Sequence, residues 1–237
     1  MSSSQKIEFT KGVIDTIPLI IGAIPFGIIY GTLSQSSDLS MYGALALSSI
    51  VFAGSSQFVA LGLIASGSSI FIIIATTFLI NLRHLLYSFS LRHHLSHLPQ
   101  KWKIPLSFGL TDETFAVTIK HYSYSKNNES KHWYFLGSFI SMYVNWQICT
   151  IIGIVFGSSF PEIKNWGLEF AMSATFIGIV IPYLKSKPMI VTAIASSTLV
   201  LILKDLPNNL GLIISSIISI SIGVLLELKL LNNNKLK

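Results

Sequence analysis

The most informative residues are ionisable groups that lie inside otherwise apolar sequence. Arg83, in the run Asn81-Leu82-Arg83-His84, lies about two helical turns from the nearest polar connection. A guanidinium in hydrocarbon needs an acidic partner or a substrate carboxylate, because an unpaired charge in that medium is unfavourable. Snorkelling of the Arg83 side chain to the lipid headgroups is the alternative. His84 could join a proton relay, since an imidazole titrates close to physiological pH.

The nearest acidic partners in sequence are Asp112 and Glu113, at the centre of the weakly apolar segment 104–119. We expect one of the two to pair with Arg83. Adjacent helical residues point about 100° apart, so the other carboxyl group is free for a different task. Its neutral form is favoured in a cavity of low dielectric constant, which suits a group that couples transport to protons. If the segment lies in water instead, both residues are ordinary solvated acids.

Ser55, Ser56 and Gln57 form a polar insertion in the middle of the apolar stretch 41–65. At membrane depth, such side chains need hydrogen-bond partners within the protein or in a wet cavity. They could hold the ammonium or carboxylate group of a zwitterion, bind backbone groups freed by a helix break, or join two helices. Asn145 belongs to a second polar insertion, which could face the same cavity as Gln57.

The first apolar stretch contains Pro18, Pro25 and Gly27. Proline removes a backbone hydrogen bond and glycine permits close helix approach. These residues therefore predict a helix break whose free carbonyl groups line a polar site. Packing between neighbouring helices is the alternative interpretation.

The elements that must position these groups are membrane helices. Of 237 residues, 51% are hydrophobic and only 11% are charged, with a mean hydropathy of +0.65, whereas soluble domains carry about 25% charged residues. A helix of about 20 apolar residues spans a bilayer. The sequence therefore predicts an all-α integral membrane protein, a polytopic helical bundle of seven or eight transmembrane segments. The candidate segments are 12–33, 41–65, 70–90, 104–119, 133–157, 167–184, 189–203 and 210–226.

Segment 104–119 decides the number of spans. Its 16 residues would extend about 24 Å as a helix, which is short of the roughly 30 Å hydrocarbon core. The segment is therefore either a short span, which gives eight crossings, or a re-entrant segment, which gives seven. Counting Lys and Arg in the connections does not separate these alternatives, but both place the C-terminus in the cytoplasm.

The chain is predicted to be one transmembrane domain, residues 1–237, with an internal repeat. The pattern F-A-x-S-x-x-F occurs at 52–58 and again at 170–176. Transporters are often built from duplicated halves, which here would be residues 12–103 and 133–226. The sequence lacks a Walker-type glycine loop, which excludes ATP-driven transport by this chain alone.

Other classes of function find little support. His93, His94 and His97 fall in a basic connection without cysteine or carboxylate, so we expect no metal, and no other cofactor. The chain has neither a His-Glu-x-x-His motif nor the context of a nucleophile elbow, which argues against an enzyme. Its basic residues are scattered between apolar runs, which indicates contact with the lipid bilayer and no nucleic acid.

Four stretches taken together are distinctive: Pro18 with Pro25-Phe26-Gly27 and Gly31, the run 52–58, Asn81-Leu82-Arg83-His84-Leu85-Leu86-Tyr87, and Thr111-Asp112-Glu113. With these stretches the chain resembles, over nearly its whole length, the AzlC-type family of branched-chain amino acid permeases. The resemblance implies secondary-active export of branched-chain or similar apolar amino acids across the bacterial inner membrane, driven by an ion gradient. It also implies a small hydrophobic membrane subunit of the AzlD type as partner. The residues alone leave open a channel or passive pore for small solutes.

Overall fold

Every regular element in the described part of the chain is helical, which confirms the all-α polytopic membrane class. The computed structural model describes residues 1–37, 39–124, 130–159, 181, 184–206 and 210–235. The helices are α1 (Ser3–Ser34), α2 (Met41–Val51, ending in a π-helical turn), α3 (Gly54–Ala65), α4 (Ile70–Asn81), α5 (Arg83–Leu95), α6 (Gln100–Phe108), α7 (Asp112–Tyr124), α8 (Lys131–Ser159), α9 (Lys187–Ile202) and α10 (Leu210–Lys235).

Four apolar segments of the described residues are long enough to cross a membrane. They are α1, the joined pair α4–α5, α8 and α10. The α4–α5 segment continues to Leu95, beyond the predicted end of its span at Ser90. His93 and His94 therefore lie in the last helical turn of α5 and not in a connection.

Helices α1 and α8 form the most extensive contact and run parallel to one another. Near their beginnings, Thr16 Oγ1 donates a hydrogen bond of 2.8 Å to Ser138 Oγ. Near their ends, a methyl group added to Gly153 would overlap the carbonyl oxygen of Ile28 and crowd Gly31. Small residues thus allow the two backbones to touch, as in other closely packed membrane helices.

Helices α2 and α3 form a hairpin that enters from the face at which α1 ends. Helix α2 runs antiparallel to α8, because later residues of α2 contact earlier residues of α8. Ser48 Oγ lies 3.0 Å from Thr150 Oγ1, and the Phe52 ring centroid lies 4.9 Å from that of Tyr143. The chain then reverses at Phe52 and Ala53, which separate α2 from α3.

Helix α3 returns to the face from which α2 came. Gly54, at its start, lies against the Trp146 ring, whereas Leu61 is buried in the same cluster as Leu33, near the end of α1. Each helix of the hairpin extends roughly 17 Å, about half of the 30 Å hydrocarbon core. The predicted span 41–65 is therefore wrong as a single crossing helix: it is a re-entrant pair.

Helices α6 and α7 form an opposing hairpin, which enters from the face at which α1 begins. Helix α6 starts beside the start of α8, where the ring centroids of Trp102 and Trp133 are 4.8 Å apart. At its other end, the Phe108 ring lies 5.8 Å from Phe139 and 6.0 Å from Phe52, between ring centroids. The tips of the two hairpins therefore meet inside the protein.

Helix α7 leads back to the face from which α6 came. After the interruption at residues 109–111, it descends until His121 stacks on Tyr134 with ring centroids 3.8 Å apart, and the Tyr122 hydroxyl donates to Lys131 O over 2.8 Å. Both partners lie in the first turn of α8. This geometry favours the re-entrant alternative for segment 104–119 over the crossing one.

The predicted helix break at Pro18, Pro25 and Gly27 is wrong. Helix α1 continues through both prolines, and a methyl group at Gly27 would lie 2.6 Å from Cys149 Cβ, so this glycine serves close packing. A membrane helix tolerates the hydrogen bonds lost at proline when its neighbours cover the freed backbone groups. The break lies instead at Phe52 and Ala53.

The second copy of the F-A-x-S-x-x-F pattern, at 170–176, lies outside the described residues, as does most of the predicted span 167–184. The internal repeat, with halves 12–103 and 133–226, therefore stays a prediction. The first helices of these two halves, α1 and α8, are the parallel pair described above.

Apart from Arg83, the basic residues of helices α1 to α8 gather on one face, which we call the basic face. It is the face at which α1 and α8 begin and at which α5 and α7 end. The connections on the opposite face, 35–40 and 66–69, contain no lysine or arginine. The basic face carries Lys6, Lys11, Arg92, Lys101, Lys103, Lys120 and Lys131.

Substitution of Gly153 by leucine tests the parallel α1–α8 contact. The added side chain has no room against the Ile28 carbonyl. We therefore expect the free energy of unfolding to fall by about 1–3 kcal/mol, the typical cost of overpacking. The thermal unfolding temperature in detergent should fall with it. Gly22→Leu is the matched control, because nothing lies within 4 Å of a methyl group there. Equal destabilisation by the two variants would contradict the packing.

Candidate functional site

A cavity of about 270 Å³ lies where the two hairpin tips meet. Both tips contribute to the wall of this central cavity, together with α1, α5 and α8. Its lining is Ala23, Phe26, Phe52, Ala53, Gly54, Ser55, Phe58, Arg83, His84, Thr111, Asp112, Glu113, Met142 and Trp146.

The tip of the α2–α3 hairpin holds an unusual backbone. Phe52 is the one non-glycine residue of the described chain with positive φ, at 44°, and Ala53 is extended. No side chain caps α3, so the first N–H groups of this helix, at Gly54 and Ser55, are available at the cavity wall. The N-terminus of a helix attracts anions, because its free N–H groups and its dipole both favour negative charge.

The tip of the α6–α7 hairpin, by contrast, satisfies its own backbone. The Thr114 hydroxyl donates to Gly109 O over 2.8 Å and accepts from Thr111 N over 2.7 Å. The Thr111 hydroxyl donates to Glu113 Oε2 over 2.8 Å. The carboxylates of Asp112 and Glu113 therefore stand at the start of α7, where the helix dipole stabilises negative charge.

The predicted ion pair of Arg83 with an acidic residue of segment 104–119 is confirmed. Arg83 Nη2 lies 3.1 Å from Asp112 Oδ2 and also donates a hydrogen bond to Ser55 Oγ. Asp112 Oδ1 accepts a 2.6 Å hydrogen bond from the Tyr87 hydroxyl. The guanidinium thus links the tip of one hairpin to the tip of the other, and its side chain is only 24% exposed.

Two nitrogen atoms beside this ion pair are buried without a hydrogen-bond partner among the described residues. They are Arg83 Nε and His84 Nε2. Buried polar atoms without a partner are rare in folded proteins, and each one is a candidate contact for a ligand or for water. Both residues line the cavity.

Apolar side chains form the remainder of the wall. Phe58 is fully buried, Ala23 and Trp146 are nearly so, and Met142 belongs to the same core cluster. The Trp146 indole N–H donates to Gln57 Oε1 over 3.1 Å, which fixes the ring plane. The cavity therefore has one charged side and one apolar side.

The structure brings together five of the residues predicted for the substrate and ion pathway: Ser55, Arg83, His84, Asp112 and Glu113 line the cavity. The other four lie behind its wall. Ser56 donates to Asn81 Oδ1, which joins α3 to α4, and Gln57 holds Trp146. Asn145 accepts a contact from Cys149 Sγ at 3.6 Å and does not reach the cavity.

Sequence reasoning missed the apolar wall and Thr111. Phe26, Phe58, Met142 and Trp146 are ordinary membrane-helix residues when taken singly, and only the tertiary contacts distinguish them from other apolar positions. Trp146 had one available signal, since it stands between Asn145 and Gln147 in the polar insertion already singled out.

Within the described residues, no three metal-ligating side chains gather at one point. The chemistry that this arrangement supports is recognition: a cation and uncapped N–H groups for an anion, two carboxylates for a cation, and an apolar surface beside them.

Comparison with known proteins assigns the chain to a family. The AzlC protein family matches residues 18–160. The inner membrane protein YgaZ of Escherichia coli (strain K12) is 32% identical over 184 residues, covering 76% of this chain and 74% of that protein. An uncharacterized membrane protein of Archaeoglobus fulgidus is 32% identical, covering 78% and 80%.

A further relative carries a functional name. The branched-chain amino acid transport protein AzlC of Bacillus subtilis (strain 168) is 31% identical over 169 residues, covering 70% of this chain and 64% of that protein. No solved structure matches the chain. The family match spans both hairpins and the whole cavity, and the chain is a member of the AzlC family of integral membrane proteins.

Proposed function

We propose that this protein is a secondary-active transporter that exports branched-chain or similar apolar amino acids across the bacterial inner membrane. The observation that carries the proposal is the central cavity, which offers opposite charges on one side and an apolar wall on the other. That combination is complementary to a zwitterion with an apolar side chain. The name of the Bacillus subtilis relative supports the same class of substrate.

The charged side would bind the backbone groups of the amino acid. Its carboxylate would meet Arg83, the Ser55 hydroxyl and the N–H groups at the start of α3, while its ammonium group would meet Asp112. In the structure, Arg83 and Asp112 contact each other directly. A zwitterion that entered between them would replace one internal ion pair by two, so neither charge would be left alone in a medium of low dielectric constant.

The apolar side would select the side chain. A cavity of about 270 Å³ lies near the small end of ligand sites, which range from about 300 to 1,000 Å³. Phe26, Phe58, Met142 and Trp146 leave no polar group opposite the substrate side chain, so polar amino acids would be disfavoured by desolvation.

Glu113 is the group that we assign to ion coupling. Arg83 pairs with Asp112, whereas Glu113 is hydrogen-bonded to the Thr111 hydroxyl. A carboxyl group beside a cavity and without a direct cationic partner can take up and release a proton at moderate free-energy change.

The basic face orients the protein in this proposal. Lysine and arginine concentrate in cytoplasmic connections, so the face at which α1 begins would be cytoplasmic, and the α2–α3 hairpin would enter from the periplasm. The count of lysine and arginine in the connections predicts a cytoplasmic C-terminus. The family resemblance implies the direction of transport and the AzlD-type subunit. Efflux from cells with and without the co-expressed subunit would test the last two.

Replacement of Arg83 by alanine tests the central assignment. We expect loss of leucine and valine efflux from loaded proteoliposomes, by at least tenfold, because the substrate carboxylate loses its cation. Lys120→Ala, which removes one charge from the basic face, should retain saturable efflux.

The double variant Arg83→Ala/Asp112→Ala separates function from folding, because it removes both members of the ion pair together. It should elute as a monodisperse protein in detergent and still fail to transport. Normal efflux by Arg83→Ala would remove this residue from the pathway, and flux that never saturates in the wild type would favour a pore.

Replacement of Ala23 by leucine tests the apolar side. Ala23 is 6% exposed and lines the cavity, so three added carbon atoms should reduce its free volume. We expect efflux of isoleucine and leucine to fall several-fold more than efflux of alanine, measured by competition in the same vesicles. Gly22→Leu, whose side chain points into open space, should leave this ratio unchanged. An unchanged ratio in Ala23→Leu as well would place the side-chain pocket elsewhere.

Glutamine at position 113 tests proton coupling. Glu113→Gln keeps the hydrogen bond with Thr111 and removes the titratable proton, so an imposed pH gradient should alter the efflux rate in the wild type and have no effect on the variant. Glu8→Gln, far from the cavity, provides the matched control and should respond like the wild type. A response of Glu113→Gln equal to that of the wild type would show that another group or another ion couples transport.

A further inference from the structure

A second cavity, of about 430 Å³, lies at the basic face between α5 and α6. Phe135 of α8 closes it on the inner side, and the turn from α5 to α6 closes it at one end. This cavity is distinct from the central one: no residue lines both. It has no part in the transport mechanism proposed above.

Most of its wall is apolar. Leu91, Leu98 and Leu106 are almost completely buried and pack together with Phe135 in one core cluster. On the outer side of α6, Ile104 is 68% exposed, which in a membrane protein marks a surface against acyl chains. The cavity thus lies directly beneath a lipid-facing helix.

The mouth of the cavity carries two positive charges, and no acidic side chain is among the residues that line the cavity. Arg92 and Lys103 both line it, and neither takes part in any of the ion pairs found among the described residues. Lys103 Nζ donates to Ser96 O over 2.8 Å, which holds the ammonium group at the turn. Two unneutralised cations beside an apolar hollow favour an anionic amphiphile.

Aromatic residues show the depth of this mouth in the bilayer. Trp102, adjacent to Lys103, packs edge-on against Trp133 and His132, with centroid distances of 4.8 and 4.5 Å. Tryptophan concentrates at the level of the lipid headgroups. The two cations therefore lie at headgroup depth, and the leucines extend from there toward the membrane interior.

We infer that this cavity binds one anionic glycerophospholipid from the leaflet at the basic face. Arg92 and Lys103 would hold its phosphate, and an acyl chain would occupy the leucine-lined hollow. An amino-acid substrate does not fit this chemistry, because the cavity offers its ammonium group no carboxylate. The lipid would bridge α5, which carries Arg83, to α6, which leads to the hairpin tip, and so would stabilise the central site.

Native mass spectrometry of the purified full chain in neutral detergent tests this inference. Titration with phosphatidylglycerol and, separately, phosphatidylcholine should show one phosphatidylglycerol bound at least fivefold more tightly. Phosphatidylglycerol should also raise the thermal unfolding temperature, whereas inorganic phosphate at the same concentration should do neither.

Two variants and one control locate the lipid. Arg92→Ala/Lys103→Ala should lose the preference for phosphatidylglycerol, and Ser107→Phe, which fills the cavity without changing charge, should lose binding of the tight lipid. Lys6→Ala/Lys101→Ala removes the same charge from the same face, but outside the cavity, and should behave as the wild type. Retained preference in both test variants, or equal binding of the two lipids by the wild type, would overturn the inference.

Discussion

The structure depends on one constraint: backbone that is not helical can lie at membrane depth only where protein or a cavity satisfies its polar groups. In the part of the chain that the structure describes, two such interruptions separate paired short helices, one in each re-entrant hairpin, and the hairpins enter from opposite faces. They satisfy the constraint by meeting each other, with Phe52 against Phe108. The central cavity is the space between the two tips. The free N–H groups of the α2–α3 tip and the carboxylates of the α6–α7 tip both face it.

The contact of Arg83 with Asp112 holds this meeting point together. It joins the α4–α5 segment to the α6–α7 hairpin, and the bond to Ser55 extends the link to the α2–α3 hairpin. Removal of one charge from such a partly buried pair leaves the other charge without a partner. The pair therefore stabilises the fold whether or not a substrate is bound. The same groups that stabilise the fold are thus those that a zwitterion would engage.

The sequence allowed this ion pair to be predicted because acidic residues within apolar segments are so few. Asp112 and Glu113 were the nearest candidates for Arg83, and electrostatics in hydrocarbon left little choice. The re-entrant α2–α3 hairpin could not be predicted in the same way. Stretch 41–65 is long and apolar enough for a crossing helix, and hydropathy does not report where a chain reverses.

Local signals for helix breaks were also misleading in this chain. Pro18 and Pro25 break helices in water, yet α1 continues through them because α8 packs along it. At the true break neither Phe52 nor Ala53 is a residue of the kind that usually ends a helix. The sequence predicts that Gln57 and Asn145 face one polar cavity, but neither lines the central one. The Gln57 and Asn145 side-chain oxygens accept from Trp146 and Cys149, and only tertiary structure decides such partners.

Phe52 illustrates a conflict between backbone and side chain at a single position. Its left-handed conformation, with φ of 44°, costs a residue with a Cβ atom about 1–2 kcal/mol relative to the right-handed region, a cost that glycine avoids. Its ring, however, fills the space among Phe108, Phe139 and Tyr143, and no glycine can do that. Smaller residues would therefore relax the main chain and empty the aromatic cluster, whereas β-branched ones would satisfy neither demand. The range of acceptable amino acids at this turn is consequently narrow, and it is set jointly by torsional strain and by volume.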